Sequence, residues 1–420
     1  MKFSAPRGTH DLWAQDAARL NNLELIAREV FERYNFSEIK FPAFEDAGLF
    51  TRSIGEATDI VEKEMYVFED RKGRKLALRP EGTASVVRSL VENQLLQKLP
   101  VSKLFYCGSM FRYERPQAGR YREFYQIGAE YFGNAGPSAD AEVIILNKEI
   151  LSRAGIANFN IHINSLGCRE CRPVFRKSLT EYFGEAGKSA DLCSDCQRRI
   201  DKNPLRVLDC KVDGHKFGGV PKMYDSLCPS CLEHFKRVRG LLDAAGCGYE
   251  IDHKLVRGLD YYTRTIFEIR SSALGAQDAI SAGGRYDNLV EELGGAKTPA
   301  VGFALGSERV ITAATASSKN LEPGAPEKIF VAVSSPVLEN EAFSVAAALR
   351  GLSPQVVIEG PFADKSLKSQ FKLADRFGAG KVVIVGEEEF RRGCLTVRDM
   401  ATKQQSEAGI EGVKNGTYRI

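Results

Sequence analysis

Two strand-like segments around a short polar connector constrain the fold of this 420-residue chain most strongly. The segments "KLFYCGSMFRYE" and "REFYQIGAEYFG" alternate in hydrophobicity, and the connector "RPQAGRY" between them is polar. Period-two alternation on both sides of turn-type residues predicts a long antiparallel hairpin. Because a hairpin needs further strands and a covering layer, we expect an antiparallel sheet packed under helices.

Alternation divides the second strand of this hairpin into two faces. The predicted core face carries Tyr125, Ile127, Ala129 and Tyr131. The opposite face carries Arg122, Phe124, Gln126, Gly128 and Glu130, and the first strand adds Arg112 and Glu114. Such polar groups are costly to desolvate unless a polar ligand pairs with them, whereas a solvated face with surface ion pairs is the alternative. A glycine in mid-strand, Gly128, predicts the close approach of a ligand or of backbone.

The stretch "VRGLDYYTRTIFEI", residues 256–269, begins as a polar turn and ends as a strand. It places Arg257 and Arg264 around the adjacent Tyr261 and Tyr262. Taken alone, it is typical of a surface hairpin in which the arginine stems lie along apolar surface. A functional role for either arginine therefore needs support from the rest of the chain.

The length and the pattern along the chain predict several domains. Residues 11–34 show helical spacing, residues 164–250 are rich in cysteine and helical pieces, and "SSKNLEPGAPEK" is typical of a linker. After it, "KIFVAVSS", "QVVIEG" and "KVVIVGE" alternate with helical patterns, which indicates a small α/β domain with parallel strands. The predicted boundaries are 1–163 with 251–316 for the main domain, 164–250 for an insertion, 317–326 for the linker and 327–420 for the last domain.

Composition and charge exclude some classes of protein. Hydrophobic residues make up 43% and charged residues 27%, as in a globular protein rather than a disordered or fibrous one. Lys and Arg total 58 against 55 Asp and Glu, so no overall basic field demands a nucleic acid partner or excludes one. The sequence shows neither the apolar run of a signal peptide nor a membrane span, and we expect a cytoplasmic protein.

Several motifs together resemble the histidyl-tRNA synthetase family of class II aminoacyl-tRNA synthetases. The segment "FRYERPQAGRYREFYQIGAEYFG" resembles motif 2 of the class, "AVGFALGSERV" resembles motif 3, and the region of Pro42 resembles motif 1. The segments "LVRGLDYYTRTIFEI" and "SAGGRYDNLVEELGG" are similar to the two signature blocks of the family, which "APRGTHDL" and "LRPEGTA" also match. The resemblance covers nearly the whole chain.

The resemblance implies the fold, the reaction and the partners. The fold would be an α+β catalytic domain of class II type with an antiparallel sheet, a helical insertion and a C-terminal α/β domain of anticodon-binding type. The reaction would be a ligation in which ATP, with Mg²⁺, activates L-histidine to histidyl-adenylate before transfer to the 3′ end of tRNA(His), releasing AMP and diphosphate. The motif 1 region implies a homodimer. The alternative is a non-catalytic relative that serves as a regulatory or tRNA-sensing subunit.

The resemblance also assigns residues to the nucleotide. It implies that Arg257 neutralises the histidine carboxylate and the ATP α-phosphate, and that Arg112 binds the α-phosphate; both are the expected catalytic residues. A planar, permanently charged guanidinium suits two oxyanions that must approach each other. Glu114 would bind the adenine edge, Phe124 would stack on the adenine, and Arg309 would lie on the γ-phosphate side. Arg264 inherits no such role.

For the amino acid and the tRNA the resemblance implies further contacts. Glu81, Thr83 and Gln126 would hold the α-ammonium group, and Glu130 with Tyr262 would bind the imidazole. The remaining residues expected around the histidine are Arg112, Arg257, Tyr261, Tyr286 and the pair Gly283 and Gly284, which we expect to form a turn. The connector should meet the acceptor end of the tRNA through Arg115, Gln117 and Arg120.

Six of the ten cysteines form CxxC pairs within the predicted insertion. An inserted domain leaves and re-enters its host at nearby points, so Cys168 and Cys171 could lie beside Cys228 and Cys231. Two such pairs make a tetrahedral thiolate site that suits zinc. The third pair, Cys193 and Cys196, would with Cys210 be structural or form a competing set. A zinc-ribbon nucleic-acid module on a nucleotide-binding core is a further alternative, although it leaves the polar sheet face unexplained.

Overall fold

The computed structural model describes residues 3–55, 58–116, 119–184, 192–210, 212–275, 278–317, 321, 326–353 and 356–417. The chain divides into two compact units, Met1–Pro323 and Gly324–Ile420. Each unit has its own hydrophobic core. Among the described residues, no helix combines the length and the apolar character that crossing a membrane requires.

The first unit contains strands and helices in mixed order. Its strands are β1 (Ser37–Glu38), β2 (Phe44–Asp46), β3 (Val67–Glu69), β4 (Lys75–Leu78), β5 (Ser102–Phe111), β6 (Glu123–Phe132), β7 (Asn160–Ser165), β8 (Glu250–Ile251), β9 (Thr263–Arg270), β10 (Ala279–Arg285) and β11 (Ala300–Gly306). Its helices are α1 (Gln15–Arg33), α2 (Ala47–Ile54), α3 (Thr83–Glu92), α4 (Leu95–Lys98), α5 (Pro137–Arg153), α6 (Cys171–Gly184), α7 (Ser194–Lys202), α8 (Pro229–Ala244), α9 (Leu289–Glu292) and α10 (Ser307–Ala316). A π-helical turn covers Ile60–Glu64, and 3₁₀ turns cover Pro204–Val207, Gly214–Lys216, Met223–Ser226 and Ser272–Leu274.

Among the described residues, eight strands form one large sheet in the order β1-β5-β6-β11-β10-β9-β7-β8. Strands β5 and β6 pair antiparallel from Ser102 opposite Phe132 to Phe111 opposite Glu123, which confirms the predicted hairpin. Strand β11 lies between β6 and β10 and is antiparallel to both. The two shortest strands, β1 and β8, pair parallel at the two ends of the sheet.

Helices cover one face of this sheet and bury the core that alternation predicts. Leu23, Ala27 and Phe31 recur at helical spacing along α1 and are fully buried. They join Ile127, Ala129 and Tyr131 of β6 in one hydrophobic cluster, which confirms three of the four predicted core positions of β6; the fourth, Tyr125, is half-buried and lies outside the cluster. Burying this much apolar surface gives the sheet a rigid side, and the polar groups of β6 lie on the other.

A smaller sheet with the order β2-β4-β3 precedes helix α3. The segment from Arg79 to Gly82 connects β4 to α3, as the sequence predicts for a strand, a turn and a helix. Glu81 lies at the start of α3, and its carboxylate accepts the N–H groups of Thr83 and Ala84, each at 2.8 Å. A carboxylate at a helix N-terminus satisfies amides that have no partner within the helix.

The cysteine-rich segment leaves and rejoins the sheet at one place. Strand β7 ends at Ser165, which pairs with Thr265 of β9, and α6 to α8 lie between these strands in the chain. The buried side chains of α8, among them Phe235 and Val238, belong to the core beneath the large sheet. The cysteines lie around the starts of α6, α7 and α8 and in the turn after Pro204–Val207.

The second unit is a small α/β domain. Its strands are β12 (Glu327–Val333), β13 (Val356–Glu359), β14 (Lys381–Val385), β15 (Cys394–Asp399) and β16 (Gln405–Gly409), and its helices are α11 (Glu339–Leu352), α12 (Leu367–Phe377), α13 (Glu387–Arg391) and α14 (Ile410–Lys414). Strand β12 pairs parallel with β13 and β14, as predicted. Strands β15 and β16 extend the sheet antiparallel, which the sequence analysis did not predict.

Candidate active site

The polar face of the large sheet forms the floor of a cavity of about 260 Å³. Predicted site residues that line it are Arg112, Glu114, Arg120, Phe124, Gln126, Arg257 and Arg309. They come from the hairpin, from the loop before β9 and from α10. Residues from three distant parts of the chain therefore meet in one concave, polar space of the kind that binds small molecules.

Arg112 is fixed at the end of the hairpin next to the aromatic ring of Phe124. Its Nε donates to the carbonyl of Pro80 at 2.8 Å, and its guanidinium carbon lies 5.2 Å from the centre of the Phe124 ring. Glu114 faces it, with 3.9 Å between the nearest charged atoms, and Glu114 also pairs with Arg120 at 3.1 Å. Arg120 thus lies against the cavity.

Arg257 reaches the same cavity from the loop before β9. Its Nη1 lies 2.5 Å from Oε2 of Glu268, and Oε1 of Glu268 accepts from Arg270 at 2.7 Å. The Nε of Arg257 is buried without a hydrogen-bond partner among the described residues. Arg309 donates to the carbonyls of Gly119 and Ala279 at 3.2 and 2.8 Å. The cavity is therefore lined by guanidinium groups that suit anionic oxygens.

Glu130 lies deeper, almost completely buried, at the centre of a hydrogen-bonded group. Thr83 donates its hydroxyl to Oε1 of Glu130 at 2.7 Å, and Tyr286 donates its hydroxyl to Oε2. Burial raises the pKa of Glu130 to about 8, against the lowering effect of these two donors. With a pKa of about 8 this carboxyl group is mostly protonated at neutral pH, and its oxygens keep lone pairs that can accept further hydrogen bonds from a polar ligand.

Gln126 and Glu81 provide further acceptors around the cavity. The Oε1 of Gln126 is buried and has no hydrogen-bond partner among the described residues, although the side chain lines the cavity. Burial also raises the pKa of Glu81, against the lowering effect of the Thr83 and Ala84 amides. An unpaired buried acceptor costs free energy, so Gln126 favours a ligand that donates a hydrogen bond.

The tyrosines form a wall beside Glu130. Tyr261 stacks at an angle on Tyr262 with 4.7 Å between ring centres, and its ring lies edge-on to Tyr286 at 5.6 Å. All three are buried. Burial raises the pKa of Tyr262 to about 12, although Arg257 opposes the shift, so this phenol keeps its proton at neutral pH.

Tyr106 occupies the space above Gly128, where the sequence predicted a ligand or backbone. A Cβ on Gly128 would lie 2.3 Å from the Tyr106 ring, and a Cβ on Gly82 would meet the same ring at 2.3 Å. The prediction for Gly128 is therefore wrong. A side chain from the neighbouring strand β5 fills the gap, because a missing Cβ accommodates a bulky partner as well as a ligand.

Two glycines in β10 were expected in a turn, and that prediction is wrong as well. Gly283 and Gly284 lie within β10, paired with β9 and β11. A Cβ on Gly283 would lie 2.2 Å from the carbonyl oxygen of Gly302, so close backbone approach explains that glycine. On β11, a Cβ on Gly302 would lie 1.8 Å from Oε2 of Glu130. Gly302 thus makes room for the carboxylate.

Other predicted site residues lie elsewhere. Arg122 was expected beside Phe124, but its guanidinium stacks over the Tyr113 ring at 3.8 Å, because it precedes the regular alternation of β6. Arg115 is exposed, and Gln117 lies outside the described residues. Arg264 contacts Nδ1 of His234 at 3.4 Å, away from the cavity residues, in agreement with a structural role.

The cysteines form two clusters rather than one. In the first, the Sγ atoms of Cys168, Cys171, Cys228 and Cys231 all lie within 4.8 Å of one another. The Sγ of Cys168 lies 3.6 Å from that of Cys171 and 3.9 Å from that of Cys228. The second cluster contains Cys193, Cys196, Cys210 and the carboxylate of Asp213.

Sequence reasoning missed several residues that shape the site. Tyr106 lies on the first strand of the hairpin and Gly302 within the segment that resembles motif 3, and the contacts that make them important are with residues distant in sequence. Asp213 follows Cys210 by three residues, a spacing that could have drawn attention to it. Arg285 is fully buried and pairs with Asp140, a contact between distant segments that no sequence pattern indicates.

Comparison with known families matches most of the chain to two models. Residues 8–170 and 225–310 match the family model described as histidyl-tRNA synthetase. Residues 328–416 match the model described as anticodon binding domain. The first model covers the hairpin, the loop that carries Arg257 and the strand that carries Gly302.

Similar proteins cover nearly the full length. A histidine–tRNA ligase of Endomicrobium trichonymphae is 54% identical over 411 residues, covering 97% of this chain and 99% of that protein. The structure of apo S. aureus histidyl-tRNA synthetase superposes with a TM-score of 0.82 at 31% identity, covering 99% of each chain. A Bacillus halodurans structure titled as an ATP phosphoribosyltransferase regulatory subunit/histidyl-tRNA synthetase has a TM-score of 0.66 at 21% identity, covering 92% of this chain and 99% of that one, and shares the fold alone.

Proposed function

Because the chain belongs to the histidyl-tRNA synthetase family, its function is that of a histidine–tRNA ligase, and we propose which substrate group each cavity residue binds during the reaction. The carboxylate of histidine attacks the α-phosphorus of ATP, diphosphate leaves, and the terminal ribose hydroxyl of tRNA then attacks the adenylate. The observation that carries the proposal is the convergence of Arg112, Arg257 and Arg309 with Phe124 in one cavity. Phosphoryl transfer depends mainly on positioning and charge neutralisation, which these groups supply.

Arg257 and Arg112 act on the reacting groups. We propose that Arg257 bridges the histidine carboxylate and the α-phosphate while Arg112 binds the α-phosphate from the hairpin side. The ion pair with Glu268 orients the guanidinium group of Arg257 before the substrate binds, so little reorganisation is needed in the transition state. Phe124 stacks on the adenine, Glu114 binds its edge, and Arg309 neutralises the γ-phosphate side.

Mg²⁺ accompanies ATP as part of the substrate. It prefers oxygen ligands and is held by substrate phosphates with few carboxylates. Glu308 lines the cavity beside Arg309 and offers such oxygens, so the lining fits the ion. Its role would be to hold the ion near the phosphates that the arginines neutralise.

Glu130 supplies selectivity for the imidazole. We assign the imidazole to Glu130 and Tyr262, the α-ammonium group to Gln126, Thr83 and Glu81, and the closing wall of the pocket to Tyr261, Tyr286, Gly283 and Gly284. The free Oε1 of Gln126 and the buried carboxyl group of Glu130 support the assignment, since a substrate without matching polar groups would leave Gln126 unpaired and could not pair with Glu130.

The contacts with tRNA and with a partner subunit are proposed from membership of the family. Arg115, Gln117 and Arg120 would contact the acceptor end, the domain at 327–420 would bind the anticodon, and two chains would pair through the motif 1 region. The inserted segment 164–250 would bind one zinc ion through Cys168, Cys171, Cys228 and Cys231. A tetrahedron with Zn–S bonds of about 2.3 Å has sulfur atoms about 3.8 Å apart, and the distances of 3.6 and 3.9 Å support this.

The proposed roles are tested by histidine-dependent exchange of pyrophosphate into ATP. Gln126→Ala should slow the exchange and raise the KM for histidine, because it removes the unpaired acceptor in the cavity. Arg122→Ala is the control from the position just before the same strand and should exchange normally, since its guanidinium stacks on Tyr113 and does not line the cavity. Absence of histidine-dependent exchange in the wild type would favour a non-catalytic relative, and equal losses in both variants would refute the assignment of the cavity.

A further inference from the structure

The second cysteine cluster lies in a part of the chain with little regular structure. Between α7 and α8 the described residues form only short 3₁₀ turns, at Pro204–Val207, Gly214–Lys216 and Met223–Ser226. Segments of this kind often depend on bound metal, because they bury too little apolar surface to hold one conformation. Cys193 precedes α7, Cys196 lies in its first turn, and Cys210 follows the first 3₁₀ turn.

The distances within this cluster fit a metal ion better than a disulfide. The Sγ atoms of Cys193 and Cys210 lie 3.8 Å apart, close to the separation of about 3.8 Å expected for two thiolates on one zinc ion. A disulfide would bring two sulfur atoms to about 2.05 Å. The Sγ of Cys210 also lies 3.8 Å from Oδ2 of Asp213, and all four ligand atoms lie within 4.8 Å of one another.

Asp213 is the independent sign that the cluster holds a cation. Its side chain has no solvent exposure, and a buried carboxylate is costly without compensating charge. Its Oδ2 accepts the Cys193 N–H at 2.9 Å, and its Oδ1 lies 2.9 Å from Nζ of Lys216, a side chain that is 40% exposed. A divalent ion would offset two of the four negative charges of three thiolates and this carboxylate, and Lys216 offsets a third.

We propose that Cys193, Cys196, Cys210 and Asp213 bind a second zinc ion, distinct from the ion assigned to Cys168, Cys171, Cys228 and Cys231. Zinc accepts sulfur and carboxylate ligands in tetrahedral geometry, which three cysteines and one aspartate provide. The first ion would join residues from the two ends of the segment from α6 to α8, whereas the second would be bound by residues from its middle, and neither takes part in the ligase reaction.

The second ion would stabilise a segment that contacts the loop containing Arg257 and Asp260. The segment that it closes carries Arg199 and Asn203, which contact Asp59 at 2.9 Å and Asp260 at 3.3 Å. Asp260 is three residues from Arg257 in the chain. Loss of the ion should therefore increase amide hydrogen exchange in residues 194–210 and in the loop around Asp260, while the core strands stay protected.

The test is the zinc content of the full-length protein purified without chelator. Native mass spectrometry and elemental analysis should find two zinc ions per wild-type chain. The double variant Cys193→Ser with Cys210→Ser should keep one ion, and the matched variant Cys168→Ser with Cys228→Ser should keep the other. Cys210→His, which restores a zinc ligand, should hold two. Retention of two ions by the Cys193/Cys210 variant, or one ion in the wild type that only the Cys168/Cys228 variant loses, would overturn the proposal.

A second measurement avoids variants that fail to fold. In the native wild-type protein, iodoacetamide should leave Cys193, Cys196 and Cys210 unmodified until a chelator removes zinc, after which peptide mapping should find them alkylated. Modification of these cysteines at the same rate before and after chelation would refute the site. So would a Cys193 disulfide in freshly purified protein, because oxidised sulfur atoms cannot bind the ion as thiolates.

Discussion

Replacing Arg257 tests whether charge neutralisation in the cavity drives the first step. Arg257→Ala removes a guanidinium that lines the cavity together with Arg112 and Arg309. A unit charge about 4 Å from the developing charge interacts by about 4 kcal/mol at an effective dielectric constant of about 20. Since about 1.4 kcal/mol is tenfold in rate, the expected loss is about 10²- to 10³-fold in turnover.

The fold should survive this substitution. Glu268 loses Arg257 but keeps Arg270, whose Nε lies 2.7 Å from its other oxygen, so the remaining carboxylate is still paired. A lost charged hydrogen bond costs about 1.5–3 kcal/mol, which a chain of this size tolerates. The variant should therefore still bind histidine and ATP, with the loss mainly in the rate of the chemical step.

The assay is histidine-dependent pyrophosphate exchange at saturating substrates. Arg257→Lys should recover only part of the rate, because an ammonium group cannot bridge two oxyanions as the planar fork does. Arg264→Ala is the control from the same stretch of sequence, since its side chain contacts His234 and not the cavity. If Arg257→Ala exchanges at the wild-type rate, the reasoning from charge neutralisation is wrong.

Four further predictions concern two buried carboxyl groups, one glycine of the sheet and the connector of the hairpin. Glu130→Gln should abolish histidine-dependent exchange. Because folding raises the pKa of Glu130 from 4.5 to about 8, the stability of the wild type should fall relative to that of the variant as the pH rises from 4.5 to 8, which melting curves at pH 5 and pH 9 would measure. Gly302→Ala should lower activity strongly, since the new Cβ would meet the Glu130 carboxylate, whereas retained KM and kcat would show that the strand can shift. Asp140→Asn should lower the free energy of unfolding by about 3–5 kcal/mol, because the buried Arg285 loses the charge of Asp140. Burial would raise the pKa of Asp140, but Arg285 and His234 lower it to about 2, so this contribution in the wild type is present above about pH 3.8 and is lost on acidification toward pH 2. Equal urea midpoints for variant and wild type would contradict the prediction. Gln117→Ala should slow aminoacylation and leave pyrophosphate exchange intact, and equal losses in both assays would assign the connector to the first step.

The parts of the site that the sequence predicted correctly are those set by local periodicity. Phe124, Gln126 and Glu130 share a face because successive side chains of one regular strand alternate, and this needs no knowledge of neighbours. Arg122 was wrongly predicted to share this face, because alternation holds only inside the strand and β6 begins at Glu123. The family resemblance then supplied the residues that alternation cannot group, such as Arg257 and Arg309.

What the sequence could not predict depends on contacts between distant segments. Tyr106 fills the space over Gly82 and Gly128, yet nothing in any of these three stretches indicates the others. Adjacent glycines are typical of turns, but Gly283 and Gly284 lie inside a strand where a Cβ atom would collide with the backbone of the neighbouring strands. The carboxylate of Asp213 is not predictable from the CxxC pattern, because its place beside Cys193 and Cys196 depends on how the chain folds back after α7.

The order of strands in the large sheet has a consequence for how the chain matures during synthesis. Strand β11 pairs with β6 along its whole length, with Leu305 opposite Ile127, so the hairpin gains this neighbour only after β11 has been made. Until then one edge of the hairpin is unpaired, and such edges promote association with other chains. Because β11 joins β6 to β10 and Arg309 lies three residues after its end, a nascent chain that stops before β11 has neither a continuous sheet nor a complete cavity. Premature termination upstream of β11 should therefore yield aggregating fragments rather than partly active enzyme.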